Sequence, residues 1–151
     1  MGFTPAKINL FLLLKLPSAF LCGVRATEIT PDFCKVSVKH RWINQNPFRS
    51  MYFAVQQMAA ELSTGALVMA CIKSSGKNVS MLVLHSKSSF SKKATGRITF
   101  ICNEGALVKE TIQLAIASGE AQSVWLKSVG TNSEGLVVSE MDFEWTVKLK
   151  A

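Results

Sequence analysis

The stretch "NPFRSMYFAVQQMAAELSTG", residues 46–65, decides how this chain is read. Its composition and spacing predict one long helix that is apolar on most sides, with Phe48, Met51, Tyr52, Phe53, Val55, Met58, Ala59 and Leu62 spread around it. At about 100° per residue, Ser50, Ala54, Gln57, Glu61 and Thr64 fall within a sector of about 80°. A helix with so narrow a polar stripe needs cover on nearly every side, which a curled sheet supplies. Glu61 has two readings. In an apolar crevice it is costly to ionise, its pKa rises, and it suits a general base or nucleophile; in an exposed last turn it does no more than meet solvent. Asn46 is equally open: it caps the helix with Pro47 at the first helical position, or its amide donates to a substrate carbonyl.

Outward from that helix the hydrophobic period shortens to two. "VRATEIT" (24–30) is a short strand, and "CKVSVKHRWI" (34–43) alternates Cys34, Val36, Val38, His40 and Trp42 on one side with Lys35, Ser37, Lys39 and Arg41 on the other. "ALVMACI" (66–72) either continues the helix or begins a strand, and "KSSGKN" is a turn. Strands follow at 79–90, with His85 at the apolar-face phase, and at 97–102, then a helix between 103 and 119 with Asn103 as cap, Glu104 at the positive end of the dipole and Gly119 as terminator. "QSVWLKSVG" and "GLVVSEMDFEWTVKLK" are the last two strands, the second placing Val137, Met141, Phe143, Trp145, Val147 and Leu149 on one face. The order implies an α+β chain with a largely antiparallel sheet.

The N-terminal run "KINLFLLLKLPSAFLCG" has the look of a signal peptide, but Lys15 interrupts it and Phe20 and Leu21 are too bulky for a cleavage site before Cys22. Thr4 and Pro5 instead read as cap and first residue of a helix over 5–16 that Pro17 limits. That helix packs on the domain; a helix lying on a membrane surface is the alternative. The 151 residues fit one domain, 1–151, with 1–20 as an N-terminal helical segment. A hydrophobic fraction of 48% excludes a disordered chain. Four scattered cysteines without a CxxC or a nearby histidine pair suggest no metal site or redox motif, and fit a reducing, cytoplasmic setting. A net charge of +7 gathers at Lys35, Lys39 and Arg41, and at Lys87, Lys92, Lys93 and Arg97; a solvated basic face explains it without nucleic acid or membrane.

These residues carry a resemblance. Hotdog-fold acyl-CoA thioesterases of the phenylacetyl-CoA type have a segment N-x-H-G-x-x-H-G-G leading into a helix, with an acid fifteen residues after the Asn, and Glu61 stands fifteen residues after Asn46. "AAELSTG" is similar to the small-residue surroundings of the family acid, and "SSFSKKATGRITF" (88–100) to its strand, basic turn and glycine. Phe48 and Tyr52 stand where histidines are usual, and Arg49, Phe53 and Ala54 replace glycines. The chain most resembles a divergent hotdog group with N-P-F-x-[ST]-M-Y-F.

The resemblance implies a curled antiparallel sheet wrapped around a long central helix. It also implies a homodimer or dimer of dimers, with acyl-CoA sites between subunits and no cofactor besides the coenzyme A ester itself. In that reading Glu61 activates water or attacks the thioester carbonyl. Asn46 and amides near Ser50 and Met51 hold the oxyanion beside Phe48 and Arg49. Tyr52 or Gln57 orients the acid or the water, and Lys87, Lys92, Lys93 and Arg97 hold coenzyme A phosphates by charge. A non-catalytic hotdog module binding an acyl or aromatic ligand is the alternative, motivated by the replaced histidines and glycines; an anionic-surface binder is a third class.

Overall fold

Thr4 begins the fold as its sequence predicts. In the computed structural model, which describes residues 2–151, its hydroxyl accepts the Lys7 N–H at 3.3 Å, and Pro5 opens helix α1 (Pro5–Lys15). Pro17 ends that helix and starts the short α2 (Pro17–Leu21). Ile8 and Leu12 of α1 are buried, so the segment is packed rather than free. Asn9 fixes it: its amide donates to the Ala26 carbonyl at 3.0 Å and its carbonyl accepts the Ala26 N–H at 2.8 Å. This side chain closes part of an otherwise open sheet edge.

Six strands form one sheet: β1 (Arg25–Ile29), β2 (Cys34–Lys39), β3 (Val79–Phe90), β4 (Arg97–Cys102), β5 (Gln122–Thr131) and β6 (Val137–Leu149). Their order is β1-β2-β4-β5-β6-β3, and each neighbouring pair is antiparallel. The long helix α3 (Phe53–Ser75) packs against all six strands, and α4 (Gly105–Ser118) packs on α3, β5 and β6. This is the hotdog fold. By length and composition α3 would cross a bilayer, but here it is the core helix, with 61% of its most apolar window buried. "ALVMACI" continues it, and Gly76, at φ 66, ends it.

Polar atoms on the buried sides of α3 find partners across the sheet. Ser63 and Ser128 hydroxyls lie 2.7 Å apart, Ser139 donates to Gln56 Oε1 at 2.9 Å, and Trp145 Nε1 donates to Thr64 Oγ1 at 2.9 Å. Each pair fixes the helix against one strand at little desolvation cost, because its buried polar atoms satisfy one another.

Several expectations need correction. Trp42 does not share the inner face of β2: the strand stops at Lys39, residues Trp42–Asn44 form a 3₁₀ turn, and Trp42 is 82% exposed. Asn44 causes the break, its amide reaching the carbonyls of Cys22 and Lys39, both at 2.9 Å. His85 sits on the outer face rather than the apolar one, because a bulge at Leu84 reverses the phase of β3. A second irregularity, between Gly130 and Thr131, buries Val138 and leaves Val137 exposed. Asn103 does not cap α4; Glu104 holds that position, its carboxylate accepting the Lys127 N–H at 2.6 Å, while Gly119 terminates the helix as predicted.

Candidate functional site

Asn46 does not cap the central helix, which begins seven residues later at Phe53. Its side-chain carbonyl accepts the backbone N–H of Phe48 at 2.9 Å and of Ser50 at 3.2 Å, a local turn that competes with helix formation. Its amide donates to Ser50 Oγ at 3.0 Å and to the Met51 carbonyl at 3.3 Å. Arg49 takes φ 59 at the tip, in the left-handed region that favours glycine. Asn46 is therefore the organiser of the 46–51 loop, and both of its donors are occupied.

The amides expected to face an oxyanion are occupied too. Ser50 N–H is held by Asn46, and Met51 N–H donates to the Ala94 carbonyl at 2.8 Å. Tyr52 N–H donates to Asn44, also leaving nothing for a ligand. The first unpaired amides are those of Phe53 and Ala54, the opening residues of α3. They point out of the positive end of a 23-residue helix, a setting that favours a developing negative charge. The sequence hides this position because Asn46-Pro47 imitates a helix start.

Glu61 lies two turns further along α3, partly exposed, on the side that faces β3 and β6. Burial alone pushes its carboxyl up from 4.5 to about 6, and no hydrogen bond or cation among the described residues counters it. Gly65, one turn on, keeps this place open: a Cβ there would lie 3.0 Å from the Trp145 ring and 3.3 Å from Glu61 Oε1. Gln57, one turn back, donates to Ser88 Oγ of β3 at 2.9 Å. Gln57 and Glu61 thus lie on one side of α3, whereas Thr64, the last residue of the predicted stripe, is buried against Trp145. Ser88 and Trp145 were not singled out by sequence reasoning. Trp145 was legible only as an inward residue of β6, and nothing marked Ser88.

Tyr52 stands nine positions before Glu61, about 13 Å along the axis, and packs edge-on against Phe53, which packs on Phe90. It does not reach the acid of its own chain. Phe48 is 70% exposed, and Lys93 Nζ donates to its carbonyl at 3.3 Å. The four cations expected to act together diverge. Lys92 and Lys93 sit in the turn after β3 beside the 46–51 loop; Arg97 reaches Ser37 at 3.1 Å; Lys87 lies on the outer sheet face, 4.6 Å over the Trp125 ring. Lys92 and Lys93 alone remain near the loop.

The fold finds its counterpart in known structures. Residues 6–147 match the family described as a domain of unknown function (DUF4442). A probable thioesterase from Pseudomonas aeruginosa shares 20% identity and superposes with TM-score 0.82 over 99% of both chains. A protein of unknown function from Chlorobaculum tepidum gives 13%, 0.83 and 99% of both. A thioesterase from Haemophilus influenzae gives 11% and 0.73, over 99% of this chain and 93% of its own. At such identities the likeness is one of fold. Among curated proteins no sequence matches this chain.

Proposed function

We propose that this chain, which belongs to the DUF4442 family, is a thioester hydrolase acting on acyl-CoA with Glu61 as its base. The observation that carries the proposal is a lone carboxylate, raised to about 6 by burial, on the central helix of a fold shared with proteins described as thioesterases. Near neutral pH such a group is mostly ionised yet basic enough to take a proton, the condition for general-base catalysis. Glu61 removes a proton from water as the water oxygen attacks the thioester carbonyl carbon. The C–S bond then breaks, the thiolate of coenzyme A leaves with a proton, and a carboxylic acid remains.

The oxyanion is held by the Phe53 and Ala54 amides. Ala54 and Glu61 are separated by about 10 Å of helix, so the two halves of the site come from different copies in a homodimer. Support for that arrangement comes from β3, which ends the sheet with an unpaired edge and exposes Leu82, Leu84 and Phe90 there. Such an edge is covered when it pairs with a second copy. In this scheme Asn46 is a positioning residue, Gln57 orients the water, and Lys92 and Lys93 meet the phosphates. The four free cysteines suit a reducing, cytoplasmic setting.

Thiol release from short, long and aryl acyl-CoA esters, measured beside Glu61→Gln, tests the proposal. Turnover by the wild type that falls at least about 100-fold in the variant supports it, the scale general-base catalysis commonly contributes. Thiol release untouched by the substitution removes Glu61 from the mechanism. The second reading, a module that binds CoA esters without cleaving them, is favoured by Phe48 and Arg49 standing in the 46–51 loop where the phenylacetyl-CoA type of hotdog thioesterase has His and Gly; measurable turnover rejects it.

A further inference from the structure

A cavity of about 500 Å³ lies on a different side of α3 from Glu61, between α3, α4, the turn after β1 and the N-terminal residues Gly2 and Phe3. Its helical wall, Leu67, Ala70, Cys71, Ser74 and Ser75, is centred about 110° around the helix from Glu61, and no residue of the polar stripe lines it. The volume falls within the range of roughly 300–1,000 Å³ typical of small-molecule sites. Most of the lining is apolar, and its charge is one-sided: among the described residues Lys109 is its single ionisable side chain with a positive charge, and no Asp or Glu lines it.

The polar lining is one-sided too. The hydroxyls of Ser74 and Ser75 donate to the carbonyls of Ala70 and Ile72, and Thr30 Oγ1 accepts two backbone N–H groups. Lys109 and Gln113, one turn apart on α4, have no side-chain hydrogen-bond partner among the described residues, and Lys109 forms no ion pair there. Lys109 also faces Cys71 closely enough to oppose the burial that raises the thiol pKa. The arrangement is a greasy chamber with free donors at its mouth.

We propose that this cavity binds a single-chain fatty carboxylate, its tail among Leu67, Ala70, Ile112 and Ile116 and its carboxylate at Lys109 and Gln113. An alkyl tail satisfies the apolar wall, and an anionic head is the group that two unpaired donors and no acid select. A cationic amphiphile of equal length fits the wall but meets Lys109 as a like charge.

Cys71 lies in the wall and reports occupancy without a label. The full chain is treated with iodoacetamide, and alkylation of each cysteine is followed by peptide mass spectrometry with decanoate or decyltrimethylammonium at about 1 mM. With a Kd of about 0.25 mM, decanoate slows Cys71 alkylation about fivefold, by the factor 1 + [L]/Kd, and leaves Cys22 unaffected. The ratio with and without decanoate returns to one in Lys109→Glu and in the cavity-filling Ala70→Phe, and stays at its wild-type value in Glu61→Gln. Three results each overturn the proposal: Cys71 alkylation unchanged by decanoate in the wild type, equal protection by the cationic amphiphile, or protection lost in Glu61→Gln, which would place the ligand at the other site. The first two are read on the unmodified protein, so a variant that fails to fold does not protect the idea.

Discussion

Replacing Glu61 with Gln is expected to make the protein more stable as well as inactive, and only above a certain pH. The carboxyl is raised from 4.5 to about 6 by desolvation alone, so its ionised form is less comfortable in the folded chain than in the unfolded one. Between those values the folded state holds more protons, and stability falls as pH rises. Below about 4.5 both states are protonated and the penalty is absent; above about 6 it is fully present. At roughly 1.36 kcal/mol per pKa unit the span is worth about 2 kcal/mol, and because the group is partly exposed, solvent trims this toward about 1 kcal/mol. Gln has nearly the same shape and never ionises. Urea denaturation of both proteins at about pH 4 and about pH 8 measures the effect, the change in the difference between them being independent of any fixed offset from the amide. The expected result is a relative gain for Glu61→Gln of about 1–2 kcal/mol at the higher pH. A difference that does not change with pH would refute the claim that Glu61 is ionised against a desolvation penalty.

Gly105→Ala should cost more than about 2 kcal/mol in urea denaturation, because a Cβ there would lie 1.9 Å from the Pro31 carbonyl oxygen, a backbone atom that cannot turn aside. Asn46→Ala should lower stability by about 1–2 kcal/mol and reduce turnover, since it leaves the Phe48 and Ser50 amides without their acceptor; Asn46→Asp, which keeps the acceptor, should recover most of the stability. Lys92→Ala with Lys93→Ala should raise KM for acyl-CoA several-fold with little change in kcat. Lys87→Ala should leave both constants alone, because Lys87 lies over Trp125 on the outer face.

Much of the fold was legible because its strands obey a period of two: β3 and β4 span residues 79–90 and 97–102, as the sequence predicts. Thr4-Pro5 and Gly119 mark helix ends by local chemistry, and local chemistry is what a sequence displays. The errors fall where a distant or competing contact wins. Asn46-Pro47 has the composition of a helix start, but the Asn side chain turns back on Phe48 and Ser50 and delays α3 to Phe53. The face of His85 was misjudged because a single bulged residue in β3 reverses every side chain after it, and nothing in the local composition announces a bulge. For the candidate site, the reading of Glu61 as an acid in apolar surroundings agrees with the rise that burial gives its pKa. The free amides at Phe53 and Ala54, the Gln57–Ser88 bond and the divergence of the four cations depend on register between elements far apart in sequence.

The central claim is that ionised Glu61 drives thioester hydrolysis, and the pH dependence of kcat/KM for thiol release by the wild-type protein tests it most directly. The account predicts a rise of about tenfold per pH unit below about 6, levelling above it, as the essential base of the free enzyme loses its proton. A profile flat from about pH 5 to pH 8 would contradict it.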